Sequence, residues 1–196
     1  MKEERIEGIT LRSQEYQEKS RIISIYTAPL GLIQMIIKKV STPRLMSLST
    51  PFTYAEFHYH RGRSNLFRLL EGSPIDEHLY LREKLNSLKA AGHMTAALLH
   101  LLLPESSDPP LYALYKTYLK QIPSFEDTAP LLTSFYLKLL SHEALLEWHT
   151  FSPTDRPLAE ALANARSFDT LRTLSLSPAL EIWTTKMSTT FIAKTK

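Results

Sequence analysis

The spacing of hydrophobic positions changes once along the chain, near residue 73. Before that point, β-branched and aromatic residues alternate with polar ones, which is the two-residue period of a strand. After it, leucine and alanine recur every three or four residues, which is the period of a helix facing a core. The pattern therefore predicts two domains, a β-rich domain over residues 1–73 and an all-helical domain over residues 74–196.

The β-rich part divides into five predicted strands, at residues 5–13, 20–28, 31–40, 51–60 and 64–72. Pro29-Leu30-Gly31 predicts a tight turn, and Arg61-Gly62-Arg63 a hairpin tip. Residues 41–50 are polar, contain Pro43 and predict a longer loop. Because closure removes exposed strand edges, five short strands favour a small barrel of the OB-fold type. The expected fold class is α+β, with a five-stranded OB-fold barrel followed by an all-α domain.

The helical part is predicted to begin at Ser73-Pro74, since serine can cap a helix and proline suits its first position. The same periodicity predicts further helices at residues 111–122, 128–149, 155–166 and 177–187.

Composition narrows the class of protein. The chain has 196 residues, 43% hydrophobic and 22% charged, which is typical of a globular protein. It has no cysteine, which excludes disulfides, thiolate zinc sites and cysteine nucleophiles. The opening "MKEERIEGIT" lacks the apolar segment of a secretory signal, and no apolar run reaches the roughly 20 residues that a membrane helix needs. We expect a cytoplasmic protein without a membrane partner.

Positive charge is concentrated in one window. Residues 38–68 carry six lysines and arginines against a single glutamate, although the whole chain has a net charge of only +3. Local positive charge of this kind is typical of a surface that binds phosphates. The alternative is a solvated surface whose counter-charges lie elsewhere in the fold.

Two histidines in the fourth predicted strand raise the possibility of a metal site. His58 and His60 alternate with Glu56 on one face, but alternating polar residues are also typical of the solvent-facing side of a half-buried strand. We therefore predict no metal and no other cofactor, and expect both histidines to face solvent or DNA. No serine-nucleophile elbow, phosphate-binding glycine loop or zinc-protease motif occurs, which favours a binding protein over an enzyme.

Basic and aromatic residues on a small barrel predict a surface for single-stranded nucleic acid, because charges follow the backbone and bases stack on rings. Tyr16, Tyr54 and Tyr59 are the candidate stacking platforms, with core packing as the alternative for each. The predicted DNA-binding residues are Arg12, Tyr16, Lys19, Arg21, Lys38, Lys39, Arg44, Arg61 and Arg63.

Three stretches resemble one known family. "GITLRSQEYQEKSRIISIYTAPLGLI" (8–33), "PFTYAEFHYHRGRSNLFRLLEG" (51–72) and "TSFYLKLLSHEAL" (133–145) are similar, in order and spacing, to RecO, the bacterial recombination mediator. The resemblance implies a protein that acts in repair of DNA damage by recombination. It would bind single- and double-stranded DNA, anneal complementary strands, associate with RecR and the tail of single-stranded-DNA-binding protein, and help load RecA.

Two departures from the family pattern leave an alternative open. The basic segment "KKVSTPR" (38–44) is poorer in arginine than is usual and lacks the usual glycine, and the family's cysteine cluster is missing. The first departure predicts weaker DNA binding, and the second predicts no zinc. The alternative is a protein–protein adaptor whose barrel no longer binds DNA directly.

Overall fold

The amino-terminal part is a closed barrel of five strands. A computed structural model describes residues 3–61 and 66–194. The strands are β1 (Glu3–Tyr16), β2 (Ser20–Thr27), β3 (Gly31–Ile37), β4 (Tyr54–Arg61) and β5 (Leu66–Asp76). They close in the order β1-β2-β3-β5-β4, with β3 and β5 parallel and the other pairs antiparallel. This is the OB-fold arrangement, so the predicted fold class is confirmed.

The barrel closes because β1 is long enough to serve two neighbours. Its first half pairs with β4 and its second half with β2, and the register shifts between Thr10 and Arg12 where the strand bends. Alternate residues point inward and are almost fully buried, as the two-residue period requires. The inward set includes Ile23, Ile25, Ile33, Met35, Phe57, Tyr59 and Phe67.

Several element boundaries differ from the sequence prediction. The helix predicted at 128–149 ends at His142, and the one predicted at 177–187 continues to Lys194. Two differences in the barrel change the type of element. The expected loop at 41–50 contains a short helix, α1 (Pro43–Leu48), whose first turn is capped by the Thr42 side chain. The helix predicted to begin at Ser73 does not begin there, because β5 continues to Asp76. Ser73 and Pro74 pair with β4, so tertiary strand pairing overrides a good local capping signal.

Seven α-helices occur in the described part of the chain. The longer ones are α2 (Leu85–Leu101), α3 (Pro109–Gln121), α4 (Ala129–His142), α5 (Arg156–Asn164) and α7 (Pro178–Lys194), and α6 (Phe168–Thr173) is short like α1. Short 3₁₀ turns lie at Leu79–Arg82, Ile122–Ser124 and Trp148–Thr150. None of the helices among the described residues is both long and apolar enough to cross a bilayer.

The chain separates into two compact units. The barrel unit comprises Met1–Leu79 and Leu102–Lys116, and the helical unit comprises Tyr80–Leu101 and Thr117–Lys196. The barrel unit thus takes in a segment that lies within the predicted helical part, and the division at residue 73 stays a prediction.

A segment of the barrel unit, which we call the strap (residues 102–108), lies against the β2–β3 hairpin. The Glu105 amide donates to the Leu32 carbonyl at 2.9 Å, and the Ser107 hydroxyl donates to the Ala28 carbonyl at 2.9 Å. Asp108 ends the strap and caps α3, since its carboxylate accepts from the Leu111 amide at 2.9 Å. The strap therefore occupies the edge of β3 just before β5 begins to pair with it.

In the helical unit, α4 is the central helix. It packs against α2, α5, α6 and α7, and nine of its 14 residues are buried. Its interface with α7 is partly polar: the Thr133 and Thr184 hydroxyls lie 2.7 Å apart, and the Tyr136 hydroxyl lies 2.9 Å from that of Ser188. The Tyr136 and Ser188 hydroxyls thus satisfy each other, and the Thr133 and Thr184 hydroxyls also bond the Ala129 and Leu180 carbonyls, both at 2.8 Å.

The buried His78 makes the stability of the barrel unit dependent on pH. Its Nδ1 lies 2.9 Å from the Phe52 carbonyl, and burial lowers its pKa more than nearby Asp76 raises it. The folded pKa is therefore below the unfolded value of about 6.5, and between the two values the unfolded chain binds more protons. Stability from this group is present above about pH 6.5 and is lost as the pH falls through the folded pKa.

We expect urea unfolding between pH 7.5 and 5.5, a range chosen around the imidazole pKa of about 6.5, to show stability falling with pH. His78→Gln should flatten this dependence, whereas His149→Gln, at an exposed position, should leave it unchanged. His93 contributes to the remaining slope, because burial lowers its pKa as well. An unchanged slope in His78→Gln would contradict the assignment.

Candidate nucleic-acid interface

One end of the barrel gathers basic residues from two connections. The loop after β1 and the end of β3 are joined by a hydrogen bond of 2.6 Å, from the Val40 amide to the Lys19 carbonyl. Arg21, at the start of β2, pairs in register with Ile37, the last residue of β3. This end, which we call the basic rim, therefore brings together Lys19, Arg21, Lys38 and Lys39, four residues that the sequence analysis predicted as one site.

The outer face of the barrel continues from the basic rim. Since the inward residues of β2, β3 and β5 are buried, their neighbours point outward in two rows across the sheet. The first row is Arg12, Ser24, Gln34 and Leu66, and the second is Gln14, Ile22, Ile36 and Arg68. Arg12 and Arg68 are thus brought to opposite sides of a mixed polar and aliphatic surface.

Arg68 is a candidate that sequence reasoning missed. It was counted in the local charge excess but not assigned to the site. The parallel pairing of β3 with β5 sets it opposite Ile36, two residues before Lys38. Pairing between strands that are not consecutive leaves no local signal in the sequence. Only the fold therefore shows that Arg68 lies on the same face as the predicted site.

Arg44 is engaged elsewhere. Its guanidinium donates to the Gly72 carbonyl and to the Ser73 hydroxyl, the latter at 2.6 Å, and lies 3.4 Å from the Glu71 carboxylate. These contacts join α1 to β5 and indicate a structural role. Its predicted role in DNA binding stays a prediction.

Arg61 lies at the end of β4 and is partnered by the strap. Its guanidinium is 2.7 Å from the Glu105 carboxylate, and its central carbon lies 5.0 Å from the centre of the Phe67 ring. The other arginine of the predicted hairpin tip, Arg63, lies outside the described residues.

Of the three candidate stacking residues, only Tyr16 presents an open ring, with 41% of the residue exposed. Tyr59 takes the core-packing alternative: it is 2% exposed, and its hydroxyl donates to Glu4 at 3.0 Å. The Tyr54 ring is covered by the Lys116 ammonium at 3.7 Å, and its hydroxyl donates to Glu7. Burial, followed by the hydrogen bond to a glutamate, raises the pKa of both Tyr54 and Tyr59 to about 12.

The two histidines of β4 have different environments. His58 and Glu56 share a hydrogen bond of 2.6 Å, which lowers the pKa of the Glu56 carboxyl. His60 is only 7% exposed, so the expectation that both histidines face solvent or DNA is wrong for His60. The register between β4 and β5 shifts after His58, which breaks the simple alternation. Within the described chain, Glu56, His58 and His60 do not converge on one point.

The acidic neighbour of Arg21 offsets little of the positive charge of the basic rim. Glu15 lies 3.8 Å from Arg21 but is 91% exposed, so this pair contributes little. The loop itself, residues 15–21, encloses a cavity of about 430 Å³ against Val40. The surface is thus positive overall, with Tyr16 and the aliphatic Ile22 and Ile36 available for base contacts.

The barrel topology, the basic rim and the helices that follow define an OB-fold protein with a helical extension. Residues 1–78 match the family described as "Recombination protein O N terminal". The chain belongs to the RecO family.

Three relatives are each named "DNA repair protein RecO". The one from Idiomarina loihiensis is 30% identical over 163 residues, covering 79% of this chain and 67% of the relative. That from Rubrobacter xylanophilus is 33% identical, covering 69% and 55%, and that from Chlamydia pneumoniae is 26% identical, covering 72% and 57%. The chain therefore spans between about half and two thirds of the length of these relatives.

Proposed function

We propose that this chain is a non-enzymatic mediator of recombinational DNA repair that binds DNA through the basic rim and the adjoining outer face of the barrel. The observation that carries the proposal is the grouping of Lys19, Arg21, Lys38 and Lys39, extended across the sheet by Arg68. Cations spaced along one face can follow a phosphate backbone, while Tyr16 offers a ring to a base.

Family membership supports the partners in the proposal. We infer association with RecR and with single-stranded-DNA-binding protein, and an indirect effect on RecA loading, because these are the expectations that follow from resemblance to RecO. Annealing of complementary strands belongs to the same set of expectations.

A groove of the helical unit has a suitable size for an acidic, hydrophobic peptide tail. A cavity of about 490 Å³ lies between α2, α4 and α7. Leu132, Leu176 and Ile192 supply apolar walls and Lys89 supplies a positive charge, whereas Asp127 and Glu181 supply two negative charges. The apolar walls suit the hydrophobic residues of such a peptide, and Lys89 is the group that would bind its carboxylate.

The second candidate function is an adaptor that no longer contacts DNA. It is favoured by the acidic partners of three predicted DNA-binding arginines: Glu15 lies beside Arg21, Glu71 beside Arg44 and Glu105 beside Arg61. An adaptor would use the same barrel without a phosphate ligand.

Fluorescence anisotropy separates the two functions. The whole chain is titrated onto labelled single-stranded and duplex oligonucleotides across a salt series. For a DNA-binding mediator, the logarithm of affinity should fall linearly with the logarithm of salt. Five phosphate contacts to a single strand predict a slope of about −3.5. An absence of binding to either oligonucleotide at the lowest salt would favour the adaptor.

A further inference from the structure

The guanidinium of Arg61 forms an ion pair with Glu105, a residue of the strap. The distance is 2.7 Å, and the side chains of Arg61 and Glu105 are 54% and 38% exposed. The pair joins residues far apart in sequence but within the same compact unit. It is therefore built by the fold of the barrel unit and is not a chance meeting of neighbouring side chains.

The strap holds Glu105 firmly in this position. The Glu105 amide donates to Leu32, and Ser107 donates to Ala28, so the backbone is anchored on both sides of the β2–β3 hairpin. The Glu105 backbone has a φ of 53°, which turns the chain at this residue. The Glu105 side chain therefore reaches Arg61 from an anchored backbone.

Arg61 is also held from the other side. Its guanidinium lies over the ring of Phe67, a core residue that is 2% exposed. The cation is thus oriented before any ligand arrives, and one Glu105 carboxylate oxygen accepts the hydrogen bond that a phosphate oxygen would otherwise accept. Carboxylate and phosphate oxygens both accept charge-assisted hydrogen bonds from arginine.

We propose that Glu105 is an intramolecular competitor for nucleic-acid phosphate at Arg61, so that the strap lowers the affinity of the barrel for DNA until it is displaced. This inference rests on the proposed DNA-binding function. Exposed ion pairs are weak enough for a ligand to break: they change an equilibrium by at most about fivefold. Repulsion between the Glu105 carboxylate and an approaching phosphate adds to this effect.

The test is a double-mutant cycle in single-stranded DNA binding, with wild type, Glu105→Gln, Arg61→Ala and the double variant. Glu105→Gln should tighten binding by about three- to tenfold and steepen the salt slope by about 0.7, the value for one further phosphate contact. In the Arg61→Ala background the same substitution should change affinity less than about twofold, because its target is absent.

Two controls keep the result specific. Glu160→Gln removes one negative charge from the exposed surface of α5 and should leave affinity unchanged. Thermal unfolding should show that Glu105→Gln is folded. Equal tightening in both Arg61 backgrounds, or no tightening at all, overturns the inference while leaving DNA binding intact. If none of the four proteins binds DNA, the proposed function itself fails, and the inference fails with it.

Discussion

Replacing Lys38, Lys39 and Arg68 together with alanine is expected to weaken single-stranded DNA binding by at least about tenfold at low salt. The salt slope should become shallower by about 2, because each lost phosphate contact removes about 0.7 from the slope for a single strand. The three residues are exposed, and none forms an ion pair with a residue that the structure describes. Their charge is therefore available to a ligand at little cost.

The choice of these three residues tests the geometry as well as the charge. Lys38 and Lys39 come from the end of β3, and Arg68 joins them only through the parallel pairing of β3 with β5. If the outer face of the barrel is the site, Arg68→Ala alone should account for roughly a third of the change in slope. If only the basic rim binds, Arg68→Ala should have no effect.

A matched control separates local contact from net charge. Lys84, Lys120 and Arg166 are exposed residues of the helical unit, and replacing all three with alanine removes the same charge. This triple variant should retain near wild-type affinity and slope. Equal losses in the two triple variants would mean that binding follows overall charge and would remove the barrel face from the proposal.

The sequence predicted most of the barrel because its signals are local. Alternation of buried and exposed residues, the Pro29-Leu30-Gly31 turn, the bounds of β2 and the start of β3 all depend on neighbours in the chain. The end of β5 does not depend on neighbours in the chain. Ser73 and Pro74 are typical of a helix start, but they pair with β4 and so extend the strand. The strap is missed for the same reason, since its partners Ala28 and Leu32 lie about 75 residues earlier.

The sequence predicted the local features of the candidate site but not those that depend on distant segments. The three lysines and the single arginine of the basic rim were predicted from their charge and from their place at strand ends, both of which the sequence shows. The sequence does not show which of the predicted cations already bind other side chains of the protein. The partner of Arg61 is Glu105 and those of Arg44 lie in β5, so the availability of each arginine depends on distant segments. Burial of Tyr59 and His60 similarly depends on the register of β4 with β5.

Replacing Gly31 with alanine is expected to destabilise the barrel unit by about 3–5 kcal/mol. Gly31 has a φ of +66°, where a side chain costs about 1–2 kcal/mol. An added Cβ would lie 1.9 Å from the Ser106 carbonyl oxygen and 2.6 Å from its carbonyl carbon, both backbone atoms. The strap must then move, which breaks the hydrogen bonds of Glu105 and Ser107, each contributing about 1 kcal/mol.

Gly92→Ala is the matched control, and it is expected to raise the free energy of unfolding instead of lowering it. Gly92 lies within α2, and an added Cβ would meet nothing within 4 Å, so alanine should stabilise the chain by about 0.5–1 kcal/mol. Urea unfolding of the two variants measures both effects. Hydrogen exchange at the Glu105 amide, which Leu32 protects, reports directly on displacement of the strap in Gly31→Ala. Wild-type stability and an unchanged exchange rate in that variant would mean that the strap does not pack on the hairpin. Arg61 would then be free for a ligand without competition from Glu105.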